Sequence, residues 1–137
     1  MIIRSKERAF SSEKKKNVPV WVLDTDNCIV KHFDAETQTE TVKQYSSDHI
    51  RYHLHFSAEY RKDRLRKLVE SGEIETYLDA LDNKVTDAID RQTEKSLECD
   101  EEYQTAIAVG DLKKANGLAN MVRLCVRNVV YEGMIYV

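Results

Sequence analysis

From residue 73 onward, apolar side chains recur at three- and four-residue intervals through Ile74, Leu78, Leu81, Val85 and Ala88. The same spacing continues through Gln92, Lys95, Cys99 and Tyr103, and Ile89 and Ile107 broaden the stripe. Only an α-helix gathers residues so spaced onto one face. The pattern therefore predicts a long amphipathic helix over 73–109, on the order of 50 Å at 1.5 Å rise per residue, with an acid cluster at Cys99 to Glu102 as the place where it can break. Gly72 and Gly110 bracket it, and glycine commonly follows a helix C-terminus. Upstream, Ser47 or Asp48 is a good N-cap, and Ile50, Leu54, Ser57/Ala58, Arg61, Leu65 and Leu68 share a face, so 47–71 is read as a first helix. Downstream, Asp111 is an N-cap, and Leu112, Ala115, Leu118/Ala119, Val122, Cys125/Val126 and Val129 predict a last helix over 111–132. Short connections imply antiparallel neighbours.

The N-terminal third has a different period. VPVWVLDTDNCIVKHFD holds two apolar runs separated by Asp-Thr-Asp-Asn, the chemistry of a hairpin turn, and a third strand is expected at 39–45. Residues 1–17 are polar and basic, include Lys14, Lys15 and Lys16, and show neither strand nor helix period, so they are read as a flexible arm. The tail Gly133-Met-Ile-Tyr-Val137 is β-prone and is expected to dock as a short strand. The expected fold is α+β and mostly α, a single domain over 18–137. Within it an N-terminal β-hairpin or small sheet (18–45) precedes an antiparallel three-helix bundle with one long helix. A chain of 137 residues with four Gly, one Pro and 33% charged residues fits one such helical domain.

Charge is sorted along the chain. Residues 51–69 hold six Lys or Arg (Arg51, Arg61, Lys62, Arg64, Arg66, Lys67) against two acids, whereas 70–103 hold twelve acids against three bases. The net charge of −3 conceals that opposition, and such patterning speaks to partners more than to fold. The basic block, with Tyr52 and Tyr60 interleaved, suits phosphate contacts, assisted by Lys14, Lys15 and Lys16. The same residues would also arise from pairing with the acidic helix. That acidic helix, through Glu75, Asp79, Asp82, Asp87 and Asp90, is either a solvated face or a surface that covers a basic channel of another protein.

No residue set specifies a reaction. Asp24-Thr25-Asp26 after an apolar strand superficially resembles the nucleophile motif of haloacid dehalogenase-like phosphatases, but a parallel α/β sheet does not follow, and Asp and Asn equally make a turn. His49 and His53 stand at i, i+4 with His55 close by, a spacing that can present imidazoles to a metal; without a His-Glu-x-x-His base or a nearby cysteine they are read as packing or surface histidines. Cys28, Cys99 and Cys125 are an odd number, widely spaced, and suggest reduced thiols. No apolar run approaches the ~20 residues of a membrane span, which with the absence of a signal-like N-terminus points to a cytoplasmic protein.

Ser71-Gly72-Glu73-Ile74-Glu75-Thr76-Tyr77-Leu78-Asp79-Ala80-Leu81-Asp82, together with His49-Ile50-Arg51-Tyr52-His53 and the ending Met134-Ile135-Tyr136-Val137 after an Arg-bearing helix, resembles the TnpV family of small proteins encoded in mobilisable transposons. The resemblance covers residues 49–137 and transfers no catalytic residue. It implies a mobile-element context and an accessory part in excision or transfer.

The expected function is thus macromolecular binding without catalysis and without a cofactor. DNA or RNA is one expected partner, and a nuclease or recombinase another; the long helix also offers itself for homodimerisation. The alternative is an anti-CRISPR-like inhibitor of a host defence nuclease.

Overall fold

The computed structural model describes residues 1–137 as an α+β protein of six strands and five helices. The elements are β1 (Ile2–Arg4), β2 (Arg8–Ser11), β3 (Lys16–Pro19), β4 (Trp21–Asp24), β5 (Ile29–Asp34), β6 (Thr39–Gln44), α1 (Asp48–Tyr60), α2 (Lys62–Ser71), α3 (Ile74–Glu98), α4 (Glu101–Ala108) and α5 (Leu112–Met134). They form two compact units, residues 1–82 with Tyr136 and residues 83–135 with Val137, the border falling inside α3.

In the first unit, β1-β4-β5-β6 form an antiparallel sheet and β2-β3 a separate hairpin. The strand period sorts the sheet's two faces. Ile3, Leu23 and Val30 lie in one cross-strand row and belong to the core with Tyr45, Ile50, Leu54, Leu65, Val69, Ile74 and Leu78. On the other face Arg4, Val22, Lys31 and Val42 form a row across all four strands. That second face carries the site described below.

The expected hairpin at 18–45 is β4-β5, and the third strand is β6. Asp-Thr-Asp-Asn is a turn. The Asp24 carboxylate accepts the backbone N–H groups of Asp26 (3.1 Å) and Asn27 (3.2 Å), and Cys28 closes the turn at φ 56°. Ser47 caps α1 by accepting the His49 N–H, and Asp111 caps α5 by accepting the Lys114 N–H. Gly72 ends α2 at φ 73°. A Cβ there would lie 2.9 Å from the Trp21 Nε1, so both the left-handed backbone and the packing demand glycine.

Four expectations are corrected. Residues 1–17 are not a flexible arm: β1 pairs with β4 and β2 with β3. Side-chain bonds fasten this segment where periodicity gave no signal. Glu70 accepts the Lys6 N–H at 3.0 and 3.1 Å, and Gln38 receives the Ser12 N–H (2.8 Å) while donating to the Phe10 carbonyl (3.0 Å). The helix over 47–71 is two helices that meet at Arg61 (φ −137°). A continuous helix would have set Arg61 on the buried face between Ser57 and Leu65, and burying an unpaired guanidinium is costly; the break leaves it exposed. The helix over 73–109 divides at Asp100, which caps α4 by accepting the Tyr103 N–H at 2.9 Å. Five helices therefore replace the expected three. Finally, residues 133–134 extend α5, and no C-terminal strand forms.

The second unit buries Val85, Ile89, Ala106, Ala115, Val126, Val130 and Tyr131. The expected stripe drifts by one position: Ile89 and Thr93 are buried whereas Gln92 and Lys95 are exposed, and Val126 and Val130 are buried whereas Cys125 and Val129 are exposed. No helix is long and apolar enough to cross a membrane.

Candidate nucleic-acid interface

The sheet's second face and the β2-β3 hairpin enclose a groove of about 470 Å³. Arg4, Arg8, Lys14, Lys16 and Lys31 line it, with Glu40 as its one acid. Three separate stretches of sequence supply those cations. Arg4 and Lys31 come from the outward row of the sheet, where Val22 lies between them. Arg8 and Lys16 come from the two hairpin strands, and Lys14 from their turn. Lys15 lies at the turn with φ 54°, exposed and outside the lining. The ion pair within the groove is loose, with Lys14 Nζ 3.9 Å from Glu40. Ile2, Val22 and Phe33 give the groove an apolar floor.

A second cavity, of about 450 Å³, shares Ile2 and Arg4 with the first and adds Lys6, Arg66 and Glu70. The basic strip therefore continues from the hairpin past Arg4 to α2. Cations lining a concave wall focus positive potential where an anionic chain would lie.

The helix cations singled out by their sequence fare differently. Arg51 donates to Asp48 at 2.8 Å and lies over the Tyr52 ring. Arg61 donates to the Tyr60 carbonyl and lies over Phe56. Arg64 donates to the buried Ser57 hydroxyl at 2.9 Å. Lys62 and Lys67 are exposed, and Lys67 lies on the side of α2 opposite the buried Leu65 and Val69. Arg66 alone among them joins the strip.

The acidic residues also divide. Lys43 reaches Asp79 at 2.7 Å and Glu75 at 3.8 Å. The Tyr45 hydroxyl donates to Asp79 (3.0 Å) and the Ser47 hydroxyl to Asp82 (2.7 Å). Alternate residues from Lys43 near the end of β6 to Ser47 thus meet one face of α3, and burial together with the Asp79 carboxylate pushes the Tyr45 phenol well above its usual range. Asp90 pairs with Arg123 at 2.8 Å, while Asp87 is exposed without an ion pair. No ion pair joins the basic block of α1 and α2 to α3, so the expected zipping of the two charge blocks does not occur.

The other candidates are occupied structurally. Asp24 holds its turn, and the Asn27 side-chain amide, donating at 2.8 Å, is the first cause of its carboxyl lying below the usual range. Asp26 binds the N-terminal amine at 2.7 Å. His53 is buried against the Tyr77 hydroxyl at 2.8 Å, and His55 is exposed. Cys28 is buried, and desolvation raises its thiol. Sequence inspection missed Arg4, Arg8 and Lys31. Strand register brings them together, and the usable signal is that residues 1–17 carry Ile2, Ile3, Ala9 and Phe10, enough apolar side chains to pair. No family model, curated protein or solved structure matches this chain.

Proposed function

We propose that the protein is a non-enzymatic accessory factor that acts by binding nucleic acid through the groove between the hairpin and the sheet. One observation carries this reading: five cations from three chain segments converge on one concave surface that contains a single acid. A groove so lined offers several phosphate contacts at once, and such contacts supply most non-specific affinity for nucleic acid. Arg66 extends the surface, while Lys62 and Lys67 lie outside it. The likeness of residues 71–82 to the TnpV string is the ground for reading the context as a mobile element, with excision or transfer as the process served. The alternative, inhibition of a defence nuclease by the acidic helix, has weaker footing: Glu75, Asp79 and Asp82 are engaged by Lys43, Tyr45 and Ser47.

Titration of a labelled oligonucleotide hairpin with the full chain at rising salt tests the reading. Affinity is expected to fall steeply with salt and to collapse in Lys16→Glu/Lys31→Glu. No binding at the lowest salt would refute it.

A further inference from the structure

We infer that the chain forms a homodimer through α5, two copies packing that helix antiparallel. α5 carries more apolar surface than its own fold uses. Ala115, Val126 and Val130 are buried, whereas Leu118, Val122, Cys125 and Val129 make a second row beside them, half-buried to exposed, with Met121 alongside. Met121 is 66% and Val129 64% exposed. Scattered exposed apolar residues are ordinary, but a continuous row over about three turns marks a surface made to be covered.

A helix face built for water would carry charge. Between Lys114 and Glu132 the one exposed charged residue is Arg123, and it is paired with Asp90 at 2.8 Å. The long helix α3, which the sequence offered for self-association, contributes none of the exposed large apolar residues. The open apolar row therefore belongs to α5.

The row itself selects a second copy as its occupant. Its steps of four, three and four residues are those of a two-helix seam, and they read the same from either end. An antiparallel copy sets Leu118 against the partner's Val129 and Val122 against the partner's Cys125, so every layer is apolar. Opposite charges bound the row: Lys114 stands four residues before Leu118 and Glu132 three after Val129, on the same face. In this register Lys114 falls within about one residue of the level of the partner's Glu132, and the symmetry repeats the pair at the other end. A parallel pair would instead set lysine against lysine and glutamate against glutamate, so charge fixes the orientation. Lys114 also lies 3.5 Å from Glu102, an exposed pair that leaves other N–H donors of the ammonium for a partner, and Glu132 makes no ion pair within the chain.

Sedimentation equilibrium of the full chain over a dilution series provides the test. Twice the chain mass is expected at the concentrated end, falling on dilution. Met121→Lys/Val129→Lys should give the single-chain mass throughout, with the helical circular dichroism unchanged because both side chains are exposed. Glu132→Lys should weaken the dimer by roughly tenfold, since it sets like charges level at both ends, and Lys114→Glu/Glu132→Lys should restore it. That exchange leaves the apolar row intact, so it decides the matter should the double lysine variant fail to fold. A single-chain mass for the parent at every concentration overturns the inference and leaves the row to a partner of other sequence. A dimer that survives folded Met121→Lys/Val129→Lys overturns it too, as does a Glu132→Lys defect that the exchange does not repair. None of these outcomes depends on nucleic-acid binding by the groove.

Discussion

The groove and the α1-α2 helices are both basic, yet they use charge in opposite ways. In the groove, residues far apart in sequence converge from β1, β5 and the hairpin onto a concave wall. On the helices, residues adjacent in sequence diverge around a convex rod, and Arg51, Arg61 and Arg64 are held by Asp48, Tyr60 and Ser57. Linear charge density therefore points to the convex helices, whereas the groove proposed as the interface is assembled by strand register. What matters to an anionic partner is how many cations face one volume, and pairing register decides that.

The comparison can be broken at several points. The largest effect is expected where the basic helix acts as structure. Leu65 on α2 is fully buried, and Leu65→Ala should cost about 2–5 kcal/mol in urea unfolding. Protein that remains folded should keep its affinity for nucleic acid; lost binding at intact fold would give the helix the role assigned to the groove. Next in size, Gly72→Ala meets both a left-handed backbone and Trp21. A loss of roughly 1–2 kcal/mol is expected, and an unchanged thermal midpoint would show that the α2-α3 corner is not held as described.

Charge reversal separates the two basic regions directly. Lys16→Glu/Lys31→Glu should reduce affinity by on the order of tenfold or more, whereas Lys62→Glu/Lys67→Glu should change it by no more than about twofold. Equal effects would mean that the whole surface acts as one diffuse field.

The smallest effect concerns pH. Burial raises the Tyr45 and Tyr77 phenols, so the folded state favours their protonated forms. Their contribution is intact below the ordinary tyrosine value of about 10 and is lost as pH rises from there toward the raised folded values. Urea midpoints should therefore fall above that pH, and less so in Tyr45→Phe. A flat profile would contradict the burial of both rings.

Much of the helical half was legible in the sequence. The capping residues Ser47 and Asp111, the stop at Gly72 and the division at Asp100 rest on local chemistry that a short window contains. The β4-β5 turn was legible for the same reason. The drift from Ala88 and Gln92 to Ile89 and Thr93 was not, because the centre of a stripe depends on what packs against it. The site was the least legible part. Strands of three or four residues carry almost no period, and β1 is defined by a partner about twenty residues away. Lys14 and Lys16 were visible as cations, but their meeting with Arg4, Arg8 and Lys31 is tertiary.

The most direct measurement is the dependence of log affinity on log salt for the parent chain, for Arg4→Ala/Lys31→Ala and for Lys62→Ala/Lys67→Ala. If the groove holds the phosphates, removing its two cations lowers the slope by about 0.7 per lost contact on a single strand, and the helix pair leaves it unchanged. A slope that falls for the helix pair and holds for the groove pair would contradict the account.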